Sequence, residues 1–123
     1  MNPLGVLLVS GGHERAHYAL MVATAAAALG RPVVLFVTNA GCRLLLAGAP
    51  LAADPREALL EGRGVATLAA LLQAAAELGV RRIACEAGLR AESLETAPLA
   101  AGVEVAGLVT FLAAVGTGQI ITL

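Results

Sequence analysis

Cys42 and Cys85 are the two side chains in this sequence best suited to covalent chemistry. A thiolate attacks sulfur where a neutral thiol does not, so each site is judged by what could stabilise negative charge there. After Cys85, the backbone amides opening a helix beyond residue 86 offer that support, with the guanidinium of Arg90 or Arg43 as a second source; Glu86 opposes them. The competing reading of Cys85 is a small buried hydrophobe at a strand end. Cys42 is read either as a resolving thiol facing Cys85 or as a space filler ahead of Leu44-Leu45-Leu46, and its distance along the chain from Cys85 excludes a CxxC redox pair.

His13-Glu14-Arg15-Ala16-His17 matches the HExxH spacing, in which histidines one helical turn apart share a metal while the glutamate activates water. The match falls where a helix is only beginning, and no third histidine exists, so no metal and no cofactor are expected. Glu14 reads instead as a partner for the positive end of the helix dipole, and His13 as a residue lining the loop rim or facing solvent. Ser10-Gly11-Gly12 could cradle an anion with backbone amides, yet it lacks the third glycine of a dinucleotide fingerprint and is equally a tight turn. A Ser-His-Asp set is excluded because the only aspartate, Asp54, belongs to a helix cap.

The elements that must hold these residues are built from an unusually apolar chain: 123 residues, 59% hydrophobic, 14% charged and 2% aromatic, with net charge −1. All eight basic residues are arginines. The absence of lysine removes Schiff-base chemistry and the P-loop lysine, and the balanced charge removes the footprint of nucleic-acid binding. The uncharged run 105–123 is long enough to span a bilayer, but Gly116-Thr117-Gly118-Gln119 would put loop backbone in hydrocarbon. Ala16 to Gly30 is nearly half alanine and suits close helix packing better than lipid. With no signal-peptide pattern at Met1-Asn2-Pro3, a cytoplasmic protein with free thiols and no membrane contact is expected.

Along the chain, apolar runs and helical stretches alternate. Val6–Val9 predicts a first strand, Glu14–Leu29 a helix, and Pro32–Val37 a second strand. Asp54-Pro55-Arg56-Glu57 predicts a helix start with a capping box, ending at Gly62. A helix over 65–78, a third strand over 82–85, a weak helix over 89–96, a strand over 103–105, a helix over 108–115 and a last strand over 119–122 complete the order. This alternation predicts one α/β domain over 1–123: a three-layer sandwich around a mostly parallel five-stranded sheet. In a flavodoxin-like order the first strand lies between the second and third. The loops carrying Gly11, Gly12 and His13, then Asn39, Cys42 and Arg43, then Cys85 and Arg90, therefore share one rim at the carboxyl ends of the strands, where ligands bind in such sheets.

Glu-Arg-Ala (14–16) opens an alanine-rich helix after the first strand, and Pro-Val-Val-Leu-Phe-Val-Thr-Asn-Ala-Gly (32–41) follows it. Further on stand Gly-Val-Arg-Arg-Ile-Ala-Cys-Glu-Ala-Gly-Leu-Arg (79–90) and Gly-Val-Glu-Val-Ala-Gly-Leu-Val-Thr-Phe-Leu (102–112). In these stretches the chain resembles the DsrE/DsrF/TusD-like family of small sulfur-relay proteins. The resemblance implies a persulfide on Cys85, a sulfur donor and an acceptor protein, and assembly as a homo-oligomer, trimer or hexamer. A cysteine-dependent sulfur carrier or sulfurtransferase and a non-catalytic oligomeric module binding a small ligand or partner at the same rim are the two functions expected. The alanine-rich helices have too few charges for a solvated face, which predicts that they pack against other subunits.

Overall fold

The computed structural model describes residues 1–123. Five short strands, β1 (Leu4–Leu8), β2 (Val33–Val37), β3 (Arg81–Cys85), β4 (Glu104–Ala106) and β5 (Gln119–Thr122), form one sheet in the order β4-β3-β2-β1-β5. Every pairing is parallel. Parallel neighbours need crossovers, supplied by α1 (His13–Ala28), α2 (Arg56–Gly62), α3 (Leu68–Glu77), α4 (Glu86–Ala91) and α5 (Leu108–Val115), with 3-10 turns over Asn39–Leu45 and Pro50–Ala53. No helix is long and apolar enough to cross a membrane.

The expected α/β sandwich is present, but the strand order corrects the flavodoxin-like arrangement. β2 lies between β1 and β3, while β1 pairs with β2 and β5. Both strands are apolar runs, and the one buried at every position is β2. A strand covered on both faces belongs in the middle of a parallel sheet.

Side-chain alternation divides the core in two. Leu4, Val6 and Leu8 of β1 and Val33, Leu35 and Val37 of β2 face the layer containing α1 and α3. The opposite face carries Val34, Phe36, Ile83 and Cys85 against Phe111 and Val115 of α5, with the Phe36 and Phe111 rings 4.9 Å apart. The alanine-rich stretches find use within the chain. Ala16, Ala19 and Ala23 of α1 and Ala75 of α3 are buried in one cluster, and the two helices pack on each other. On α5, Leu108, Val109 and Leu112 face outward as a group of exposed large apolar residues.

Two helices shift their boundaries for local reasons. The helix expected over 89–96 begins at Glu86, because Cys85 caps it, and stops before Ser93, whose φ of 57° is left-handed. The helix expected from residue 65 starts at Leu68, because the Thr67 hydroxyl caps it by accepting the Ala70 N–H at 3.1 Å.

Candidate functional site

Three loops at the carboxyl ends of β1, β2 and β3 meet as the strand-end argument expects, with β2 in the middle. The Thr38 N–H donates to the Leu8 carbonyl at 2.9 Å and the Gly41 N–H to the Val9 carbonyl at 3.0 Å, tying the second loop to the first. Two glycines permit the approach. A Cβ on Gly41 would lie 2.4 Å from the Leu8 carbonyl oxygen; one on Gly88 would lie 2.4 Å from the Asn39 nitrogen and 2.5 Å from Thr38 Oγ1. Gly11 lies against Ala40, Gly12 is exposed as the residue before α1, and Asn39 is exposed with a left-handed φ of 49°. Gly11, Asn39 and Cys85 thus belong to one rim. Thr38, which had no motif to mark it, joins them through its contact with Gly88.

Cys85 ends β3 and caps α4. Its Sγ accepts the Gly88 N–H at 3.4 Å, an N-cap role that serine or aspartate more often fills. The side chain packs among Phe36, Ile83 and Phe111 and is 6% exposed. The guanidinium support expected for it is spent elsewhere. Arg90 pairs with Glu86 one turn away, and Arg43 donates to Glu92 at 2.7 Å. In each pair the carboxylate offsets the guanidinium charge, so little net positive field remains for a thiolate. The same pairing offsets the Glu86 charge expected to oppose a thiolate, leaving the Gly88 amide as the polar contact of the sulfur.

Cys42 occupies the other core layer, fully buried, with its thiol donating to the Val37 carbonyl at 3.7 Å. Burial first, and the nearby Cys85 second, push this thiol up to about 11. Cys42 packs in the core layer of α1 and α3, and Cys85 in that of α5.

His13 departs furthest from expectation. It is buried rather than on the rim or in solvent, with Nε2 donating to Glu57 Oε2 at 2.9 Å and Nδ1 left without a partner. His17 lies one turn on, its ring stacked 5.9 Å from that of His13, and its Nε2 donates to the Ala66 carbonyl at 2.8 Å. The first turn of α1 does present both imidazoles together, yet each Nε2 is committed, and no group of three or more potential ligands converges.

Glu57 is the residue whose role local reading missed. Instead of closing a capping box on its own helix, its carboxylate accepts the Leu68 and Ala69 N–H groups at 2.8 and 2.9 Å, capping α3. Asp54 accepts the Arg56 N–H at 2.8 Å. Burial works to raise the Glu57 carboxyl, but donation from Ala69, His13 and Leu68 outweighs it and holds the group below its ordinary value.

Against known proteins, the sequence profile described as the DsrE/DsrF-like family matches residues 5–123. The crystal structure of the YchN protein from E. coli superposes with a TM-score of 0.76 over 100% of both chains, at 19% identity. At that identity the likeness speaks for the fold alone. No curated protein is significantly similar in sequence.

Proposed function

The chain belongs to the DsrE/DsrF-like family, and from that premise we propose that it is a cysteine-dependent sulfur carrier, with Cys85 holding a sulfane sulfur destined for a protein partner. The Cys85 thiolate attacks the outer sulfur of a donor persulfide; a new S–S bond forms, the donor's own S–S bond breaks, and the donor leaves as a thiolate. An acceptor thiolate then attacks the outer sulfur on Cys85, returning the Cys85 thiolate. Each step exchanges one S–S bond for another, so no external oxidant or reductant is consumed.

The observation that carries this reading is the position of the Cys85 sulfur, at the turn from β3 into α4 with a backbone N–H directed at it. Cys42 is the weaker candidate, since a thiol pushed up to about 11 stays protonated near neutral pH. Because Cys85 is almost covered, a donor reaches it through local opening of the turn 85–88, a far smaller event than unfolding. Free thiols suit a reducing compartment such as the cytoplasm. Homo-oligomeric assembly, as a trimer or hexamer, is part of the proposal and is supported by the apolar outer face of α5.

The burial of Cys85 and the engagement of Arg43 and Arg90 with carboxylates favour the second reading, a non-catalytic module binding a ligand or partner at the rim. Incubation with a persulfide donor followed by intact and peptide mass spectrometry separates the two. The carrier reading expects a gain of about 32 Da, one sulfur atom, on Cys85 and none in Cys85→Ser. A native protein whose Cys85 takes up no sulfur leaves the binding module.

A further inference from the structure

The one sizeable cavity lies away from Cys85. It is an open cleft of about 450 Å³ lined by Glu14, Arg15 and Tyr18 on the outer side of α1, Arg56 at the start of α2, and Leu123 after β5. Its neighbouring strand, β5, is separated from β3 by β1 and β2, so the cleft and the Cys85 turn are independent sites.

Its lining is rich in donors and poor in commitments. Arg15 makes no ion pair, and Arg56 comes no closer than 3.7 Å to Glu14, well beyond the distance of a good charge-assisted hydrogen bond. The other ion-paired arginines, Arg43, Arg81 and Arg90, sit in close contact with Glu92, Glu104 and Glu86. Tyr18 is 57% exposed and adds a phenol donor and an aromatic face, in a chain that otherwise keeps its aromatics, Phe36 and Phe111, fully buried. Glu14 and Arg15 lie in the first turn of α1, which Gly12 leaves without a side-chain cap, so the field of the helix also favours an anion. The volume exceeds what a bare inorganic ion fills and lies within the range of small-molecule sites.

We propose that this cleft binds a small organic dianion, a phosphate monoester or a dicarboxylate, held by Arg15 and Arg56 with Tyr18 against its body. The anion takes Arg56 from Glu14. Glu14 is the one acidic side chain in the lining, and it therefore competes with the ligand.

Tyr18 also supplies the assay, because the chain has one tyrosine and no tryptophan, so its emission reports on the cleft alone. Titration with ribose 5-phosphate or succinate, neither of which absorbs where tyrosine is excited, is followed by emission and by backbone amide shifts. Sodium chloride at equal ionic strength is the control. Saturable binding is expected for at least one probe, and comparison of the two distinguishes phosphate from carboxylate recognition. Arg15→Gln and Arg56→Gln should each weaken it about fivefold or more, whereas Glu14→Gln should tighten it about threefold. The proposal is overturned if neither readout saturates for either probe by about 10 mM, an affinity already weak for a specific small-molecule site. Unchanged affinity in the arginine variants, or weaker binding in Glu14→Gln, overturns it equally.

Discussion

The carboxylate of Glu57 joins three helices by accepting from His13 of α1 while capping the first turn of α3 from its own place in α2. His13 and Glu57 are 44 residues apart, and the pair is nearly covered, with side-chain exposures of 2% and 13%. Removing the carboxylate leaves a buried imidazole N–H and the Leu68 N–H without a partner, while the exposed Ala69 N–H turns to water. Glu57→Ala should therefore cost about 2–3 kcal/mol of stability, and Glu57→Gln, which keeps one acceptor, about 1 kcal/mol, measured by urea unfolding.

The pH dependence of that stability follows from the lowered Glu57 carboxyl. Folding holds its proton affinity below the ordinary value of 4.5, so its contribution is complete above that pH and is lost as pH falls through the native value. Wild-type protein should lose stability on acidification below about pH 4.5 more steeply than Glu57→Gln. Equal slopes would show that the carboxylate charge contributes nothing to the fold.

Cys42 behaves oppositely, since its native value lies above that of the exposed thiol. It is held protonated up to about 11 in the folded chain but ionises near 9.0 once exposed. The unfolded state therefore sheds a proton first, and stability falls across that window by up to about 2–3 kcal/mol. Cys42→Ala should remove this alkaline loss while costing about 1 kcal/mol for the vacated volume. In native protein at pH 8, iodoacetamide should spare Cys42 until denaturant is added. Rapid native alkylation of Cys42 would contradict its burial.

The meeting of three loops at one rim was legible because strand ends in an apolar-run sequence are marked by Ser10-Gly11, Thr38-Asn39 and Cys85-Glu86. The order of the strands was not, since β1 and β2 are both short apolar runs and their neighbours are decided by which is covered on both faces, a property of the whole packing. The Glu86–Arg90 pair could be read from its spacing of four on a helix. Arg43–Glu92 and His13–Glu57 could not, because no local period connects residues so far apart. In Asp54-Pro55-Arg56-Glu57 a strong local pattern hid the nonlocal role: the glutamate at the expected capping position serves another helix.

Three of the exposed large apolar residues stand together on α5. Val109 is 82% exposed, with Leu108 and Leu112 each about half exposed on the same helix. No charge interrupts residues 105–123. Single exposed apolar side chains are ordinary, but three on one short helix make a contiguous patch; covering Val109 gains about 1.5–3 kcal/mol and each half-exposed leucine about half that, before the cost of association. If copies of the chain meet there, Val109→Glu should lower the mass found by light scattering without lowering the unfolding temperature of the dissociated subunit, because Val109 contributes little to its own core. Phe111→Ala, on the buried side of the helix, should instead destabilise each subunit by about 3–5 kcal/mol. A wild-type mass near 12.3 kDa at micromolar concentration would leave the α5 face without a second copy to cover it.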